Sequence, residues 1–160
     1  MSDVRVREAD AGDLEQLVGL YAELMEGDRP RTQPSDAVAS LPAMETILAD
    51  PARHLLVATI AAEVLGTVDL LIAPNLTHHC EPWGIVENVV VAGRARRKGI
   101  GRALMLRAIE IARSAGCYKV QLMSGLERGP AHAFYRSIGM EPRAQGFKVY
   151  LDGPTAGLGG

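Results

Sequence analysis

The sequence predicts a single mixed α/β domain on three observations. Short runs rich in β-branched residues are interleaved with amphipathic stretches of helical period. A chain of 160 residues, 48% apolar and 22% charged, can bury one sizeable core but leaves little room for two. Glycine, proline and aspartate punctuate the joins between the runs.

The elements follow in chain order. Val4 and Val6 alternate with charged residues as in a short strand, and Asp10 and Asp13 then precede Leu14, Leu17, Val18, Tyr21 and Leu24 at helical spacing. Gly27 to Pro34 breaks that pattern, after which Ser35 or Asp36 caps a second helix reaching about Leu48, with Asp50 and Pro51 ending it. His54 to Ile60 and Glu63 to Ile72 read as two strands of a hairpin, and Pro74 to Pro82 as a polar loop. Ile85 to Val91 is β-branched and flanked by Gly84 and Gly93, which predicts a strong strand. In the long helix that follows, Ile100, Leu104, Ala108, Ile111 and Ala115 form one stripe that packs on a sheet, and Gly116 ends it. Tyr118 to Met123 predicts another strand, Pro130 to Ile138 a short helix, and Phe147 to Leu151 a final strand. The domain is expected over residues 1–152, with 153–160 as a flexible, glycine-rich tail.

Charge and cysteine usage narrow the setting. A formal net charge of −2 gives no overall field toward nucleic acid or an anionic membrane, so neither is an expected partner. Two cysteines, Cys80 and Cys117, and an opening without an export signal point to the reducing cytoplasm. The most apolar stretch, Val64 to Pro74, is interrupted by Asp69 and is shorter than the ~20 residues a spanning helix needs.

One junction breaks the local rules of stability. Arg96, Arg97 and Lys98 stand where a helix begins, although a helix N-terminus disfavours cations by ~0.3–1 kcal/mol each, and no Ser, Thr, Asp or Asn is in place to cap it. A bound anion would resolve both problems, with the free N–H groups taking its oxygens and the side chains its charge. Gly99 and Gly101 allow close approach of the backbone. A solvated basic turn is the competing reading. The dinucleotide fingerprint would need a third glycine at Leu104, and the P-loop a Gly-Lys-Ser/Thr ending, so neither nucleotide motif is present.

The segment Arg96-Arg97-Lys98-Gly99-Ile100-Gly101 resembles the signature of the GNAT family of N-acetyltransferases: Arg or Gln, two residues, Gly, one residue, then Gly or Ala. The resemblance extends upstream to Glu87-Asn88-Val89-Val90-Val91 and downstream to Gly116-Cys117-Tyr118-Lys119-Val120 and to Ala131 through Met140, covering nearly Val4 to Leu151. It implies a GNAT-like α/β fold, with a mixed, mostly antiparallel central sheet flanked by helices. It implies acetyl-coenzyme A as cosubstrate, with the pyrophosphate on the turn formed by Arg96, Arg97, Lys98, Gly99, Ile100, Gly101 and Arg102, and the pantetheine arm paired like a strand along Val89 and Val91. The family often has an asparagine three residues before the alanine of its Ala-x-x-Phe-Tyr helix; Arg128 stands there in this chain, as a phosphate contact or a surface cation.

Within that resemblance Tyr135 is the expected general acid, since a phenol of ordinary pKa ~10 can protonate a departing thiolate of pKa ~8.5. Phe134 is read as core. Glu87 is the candidate base that relieves the attacking amine of its proton; simple strand alternation puts it on one face with Val89 and Val91, and Asn88 on the other as a substrate contact. His78, His79 and Cys80 are adjacent loop residues that cannot readily converge on one ion, and no metal site is expected. Neither Cys80 nor Cys117 has an activating constellation, so direct attack on the thioester is expected rather than an acyl-enzyme.

The function expected is therefore acetyl transfer to a primary amine of a small molecule, with Glu23, Glu26, Asp28 and Glu87 as acidic groups around the acceptor entrance. A peptide or protein N-acetyltransferase and a non-catalytic acetyl-coenzyme A-binding module are the alternatives. A homodimer is in keeping with the family.

Overall fold

The computed structural model describes residues 4–25 and 36–149, in two compact units that divide between Leu122 and Met123. The expected break at Gly27 to Pro34, and with it Glu26 and Asp28, lies outside the described residues, as does the tail from Gly153.

The first unit is a five-stranded sheet in the order β1-β2-β3-β4-β5. Its strands are β1 (Arg5–Glu8), β2 (Arg53–Ile60), β3 (Glu63–Ala73), β4 (Trp83–Val91) and β5 (Lys119–Leu122). The first four pair antiparallel and β5 runs parallel to β4. Helices α1 (Leu14–Met25) and α2 (Ala37–Ala49) connect β1 to β2, and α3 (Ile100–Ser114) crosses from β4 to β5. Alternation along β3 shows how the sheet is covered. A Cβ on Gly66 would lie 3.0 Å from Ile100 Cγ2, Leu104 Cδ1 and the Val90 carbonyl, so that face lies tight under α3. The neighbouring Thr67 bears on the Tyr21 phenol of α1 and so marks the opposite face. Leu17, Leu56, Val68, Leu70, Val86, Ile100, Leu104 and Met105 are fully buried, each such side chain contributing about 1.5–3 kcal/mol.

Polar contacts cap the helices and tie neighbouring elements together. Asp10 caps the turn before α1 through Gly12 N–H, and Asp13 accepts from Asp10 N–H at 2.9 Å and from both terminal nitrogens of Arg7 at 2.6 and 2.8 Å. Asp69, in the middle of apolar β3, is 3% exposed and held by the guanidinium of Arg53 at 2.9 Å. Asp36, one of two residues proposed for the role, caps α2 through Ala39 N–H.

In the second unit α4 (Gly129–Ser137) begins with Pro130 in its first turn, and Gly139, at φ +88°, follows its end. The final strand expected from Phe147 is not formed over the described residues: 147–149 pair with no strand, and Phe147 and Val149 are exposed. Apolar alternation there suggested a strand, but a strand also needs a ladder partner. Phe134, expected in a core, is half-buried against Tyr135 at 5.3 Å between ring centroids.

Candidate active site

The site begins where β4 and β5 part. Their pairing covers Trp83 to Val86 against Lys119 to Leu122 and stops there, one residue before Glu87. From Glu87 to Val91 the β5-side edge of β4 has no strand partner among the described residues. Ala92 N–H bonds to Leu65 carbonyl on the β3 side, so alternation turns the backbone groups of Val91 toward the open edge. There the Val91 carbonyl accepts from Arg96 Nε at 3.3 Å, while its N–H remains on the same edge. Of the two residues expected to pair with an extended ligand arm, Val91 thus has its backbone groups on an edge able to accept one, and Val89 stands two residues back on the same strand.

A β-bulge lies at the parting. Asp69 opposes Glu87 but Thr67 opposes Val90, so two steps on β3 face three on β4, and the extra residue includes Asn88 at φ +53°. The bulge corrects the expected facing of these side chains. Glu87 shares its face with Asp69, Thr67 and Val90, whereas Val91 opposes Gly66 on the α3 face. Asn88 lines a pocket of about 290 Å³ under α1 and α2 rather than the face opposite Glu87. Glu87 and Asn88 are both exposed. A single inserted residue reverses strand parity, which is why simple alternation misplaced them.

The basic turn follows β4 through residues 92–99. Arg97 at φ +61° and Gly99 at φ +80° are both left-handed, and Gly99 is the N-cap of α3 with no side-chain cap. The first turn of α3 therefore presents N–H groups without helical or capping partners, next to the exposed Arg96, Arg97 and Lys98. Gly101 and Arg102 lie in that turn, and Ile100 anchors it in the core. Left-handed backbone at a non-glycine residue is the kind of strain that collects at ligand sites. Free N–H groups, local cations and room for close approach are together what a pyrophosphate requires, so the residues present fit it.

Two residues have contacts that only the structure shows. Glu23, expected near an acceptor entrance, accepts from Gly93 N–H at 2.8 Å and so ties the end of α1 to the turn leading out of β4. Tyr21 lines the same pocket as Asn88, and burial pushes its phenol up to about 12. Burial also raises the Cys117 thiol, which makes it a poor source of thiolate. His78 stacks on Tyr118 at 4.1 Å, and among the described residues no three His, Cys, Asp or Glu side chains gather into a metal site. Tyr135 lies in α4 of the second unit, half-buried.

A mostly antiparallel sheet in which β4 runs on beyond its pairing with β5, with an uncapped basic turn leading from β4 into α3, is the α/β architecture expected of an acetyltransferase. The model of the acetyltransferase (GNAT) family matches residues 17–140, and the chain belongs to that family. It is 30% identical over 130 residues to aminoalkylphosphonate N-acetyltransferase of Salmonella typhimurium, covering 81% of this chain and 80% of that protein. Glucosamine 6-phosphate N-acetyltransferase of Trypanosoma brucei is 38% identical over 89 residues, 56% of this chain and only 57% of the trypanosomal protein's length. Among solved structures, one titled a transcriptional regulator from Bacillus halodurans aligns over 92% of this chain and 99% of its own, at 32% identity and a TM-score of 0.85. No described helix is long and apolar enough to cross a membrane.

Proposed function

We propose that this chain transfers the acetyl group of acetyl-coenzyme A directly to the primary amine of a small molecule. The observation that carries the reading is the open edge of β4 leading through Arg96 into the uncapped, left-handed turn at Gly99. Val89 and Val91 would pair with the pantetheine arm, and Arg96, Arg97, Lys98, Gly99, Ile100, Gly101 and Arg102 would hold the pyrophosphate. Glu87, one residue past the end of β4–β5 pairing, would take the proton of the attacking amine directly or through water, and Asn88 would contact the substrate. Tyr135 would return a proton to the departing thiolate. In balance, an N–C bond forms, the C–S bond breaks, one proton leaves the amine and one reaches sulfur. The raised Cys117 thiol favours this direct route over an acyl-enzyme. The reading of a small amine as acceptor draws on the relatives named for aminoalkylphosphonate and glucosamine 6-phosphate.

Calorimetry with acetyl-coenzyme A tests the proposal. Gly101→Glu adds bulk and negative charge in the first turn of α3, so binding should weaken by more than about tenfold while the fold persists. An unchanged affinity in a well-folded variant would overturn the assigned site.

A further inference from the structure

The pocket under α1 and α2 has a chemistry of its own. Its volume of about 290 Å³ is at the lower edge of small-molecule sites, which span about 300–1,000 Å³. Val18, Tyr21, Ala43, Met44 and Leu55 line it, and Asn88 joins it to the bulge beside Glu87. No Arg, Lys or His is among its described lining residues. Arg53, which bears on Tyr21 electrostatically, is engaged by Asp69. With no cation among the described lining residues to receive it, a phosphate or phosphonate would be buried unpaired there, which is strongly disfavoured. An apolar body would gain from the same burial.

Resting on the acetyl-transfer reading, we infer that the acceptor is a primary amine carrying an uncharged apolar body, which sits between α1 and α2 with its amino group toward Asn88 and Glu87. The chain would then differ from its named relatives in substrate class. Tyr21, whose phenol burial keeps protonated through the working range, supplies a neutral polar group in the lining.

The test measures thiol release and acetyl-coenzyme A binding in parallel, using 2-phenylethylamine, 2-aminoethylphosphonate and glucosamine 6-phosphate. The variant Ala43→Phe fills the pocket from an exposed position on α2, and a thermal melt checks its fold. 2-Phenylethylamine should exceed both phosphorylated amines in kcat/KM by at least about tenfold. Ala43→Phe should raise its KM by about tenfold and leave acetyl-coenzyme A affinity within about twofold. Preference for either phosphorylated amine, or an unchanged KM in Ala43→Phe, would overturn the inference with acetyl transfer intact. Absence of acetyl-coenzyme A binding would instead overturn the underlying reading, and the inference with it.

Discussion

Gly99 and Gly116 bracket α3 and allow a matched test of the turn. Both are left-handed, at φ +80° and +78°, and at both an added Cβ would find no atom within 4 Å. Alanine at either position therefore introduces backbone strain alone, about 1–2 kcal/mol. The surroundings decide where that strain is felt. Gly116 is pinned: its N–H bonds to Arg113 carbonyl and that of Cys117 to Ala112 carbonyl, the paired closure that ends many helices. Gly116→Ala should keep its strain in the fold and lower Tm by about 2–8 °C, at about 2–4 °C per kcal/mol for a chain of this size. Gly99 follows the exposed Arg96, Arg97 and Lys98, and its N-cap geometry is held by no side-chain bond. Gly99→Ala should relax its turn with little loss of Tm, and coenzyme binding must then restore the strained form. Its acetyl-coenzyme A Kd should rise about 5- to 30-fold, the equivalent of that strain. Calorimetry and thermal melts on both variants and the parent give the comparison. Equal weakening of binding in both variants, or a Gly99→Ala variant that loses Tm like Gly116→Ala and binds like the parent, would refute the reasoning.

Tyr135→Phe preserves most packing against Phe134 and removes the proton donor, so turnover should fall by about 10²–10⁴-fold with little change in coenzyme affinity. A rate within about twofold of the parent, with chemistry rate-limiting, would give the phenol a structural role only. Arg7, through its side-chain hydrogen bonds, holds the Asp13 carboxyl below its usual range. Because the folded-state value is the depressed one, this contribution is present above the unfolded pKa of about 3.9 and is lost as pH falls through the folded value. Asp13→Asn should cost about 1.5–3 kcal/mol at pH 7 and flatten the acid limb of a Tm-against-pH curve; an acid limb as steep as the parent's would count against the pairing.

The sheet and helices were largely legible because their signals are local. The stripe from Ile100 to Ala115 is a period that packing on β3 then uses, with Ile100, Leu104 and Ala108 buried. The Gly99 turn was legible because its cations oppose the helix dipole. Features set by distant partners were not. The β2–β3 hairpin turns on Ala61 and Ala62 at φ +49° and +70°, a conformation usually marked by Asn-Gly. Long-range strand pairing imposes it on residues that carry no such mark. The Arg53–Asp69 pair and the Glu23 bond to Gly93 likewise join residues far apart in sequence, and local periodicity says nothing of them.

The bulge shows what the remaining gap in legibility consists of. Asparagine tolerates left-handed backbone better than most residues, so Asn88 in a β-branched run was the available signal. Its consequence is more than a local kink. With regular alternation, the facing that puts Glu87 opposite Asp69 would carry Val91 to the α1 face and away from Gly66. The extra residue lets Val91 join the α3 face, where Gly66 admits Ile100 and Leu104, while Glu87 stays opposite Asp69 and Asn88 reaches the pocket. The same strand can therefore fasten the basic turn to the core at one end and offer polar side chains toward α1 at the other. In the proposed chemistry, the coenzyme turn and the amine's proton acceptor belong to opposite faces of one sheet. A bulge at the parting of β4 and β5 is a direct way for one strand to serve both.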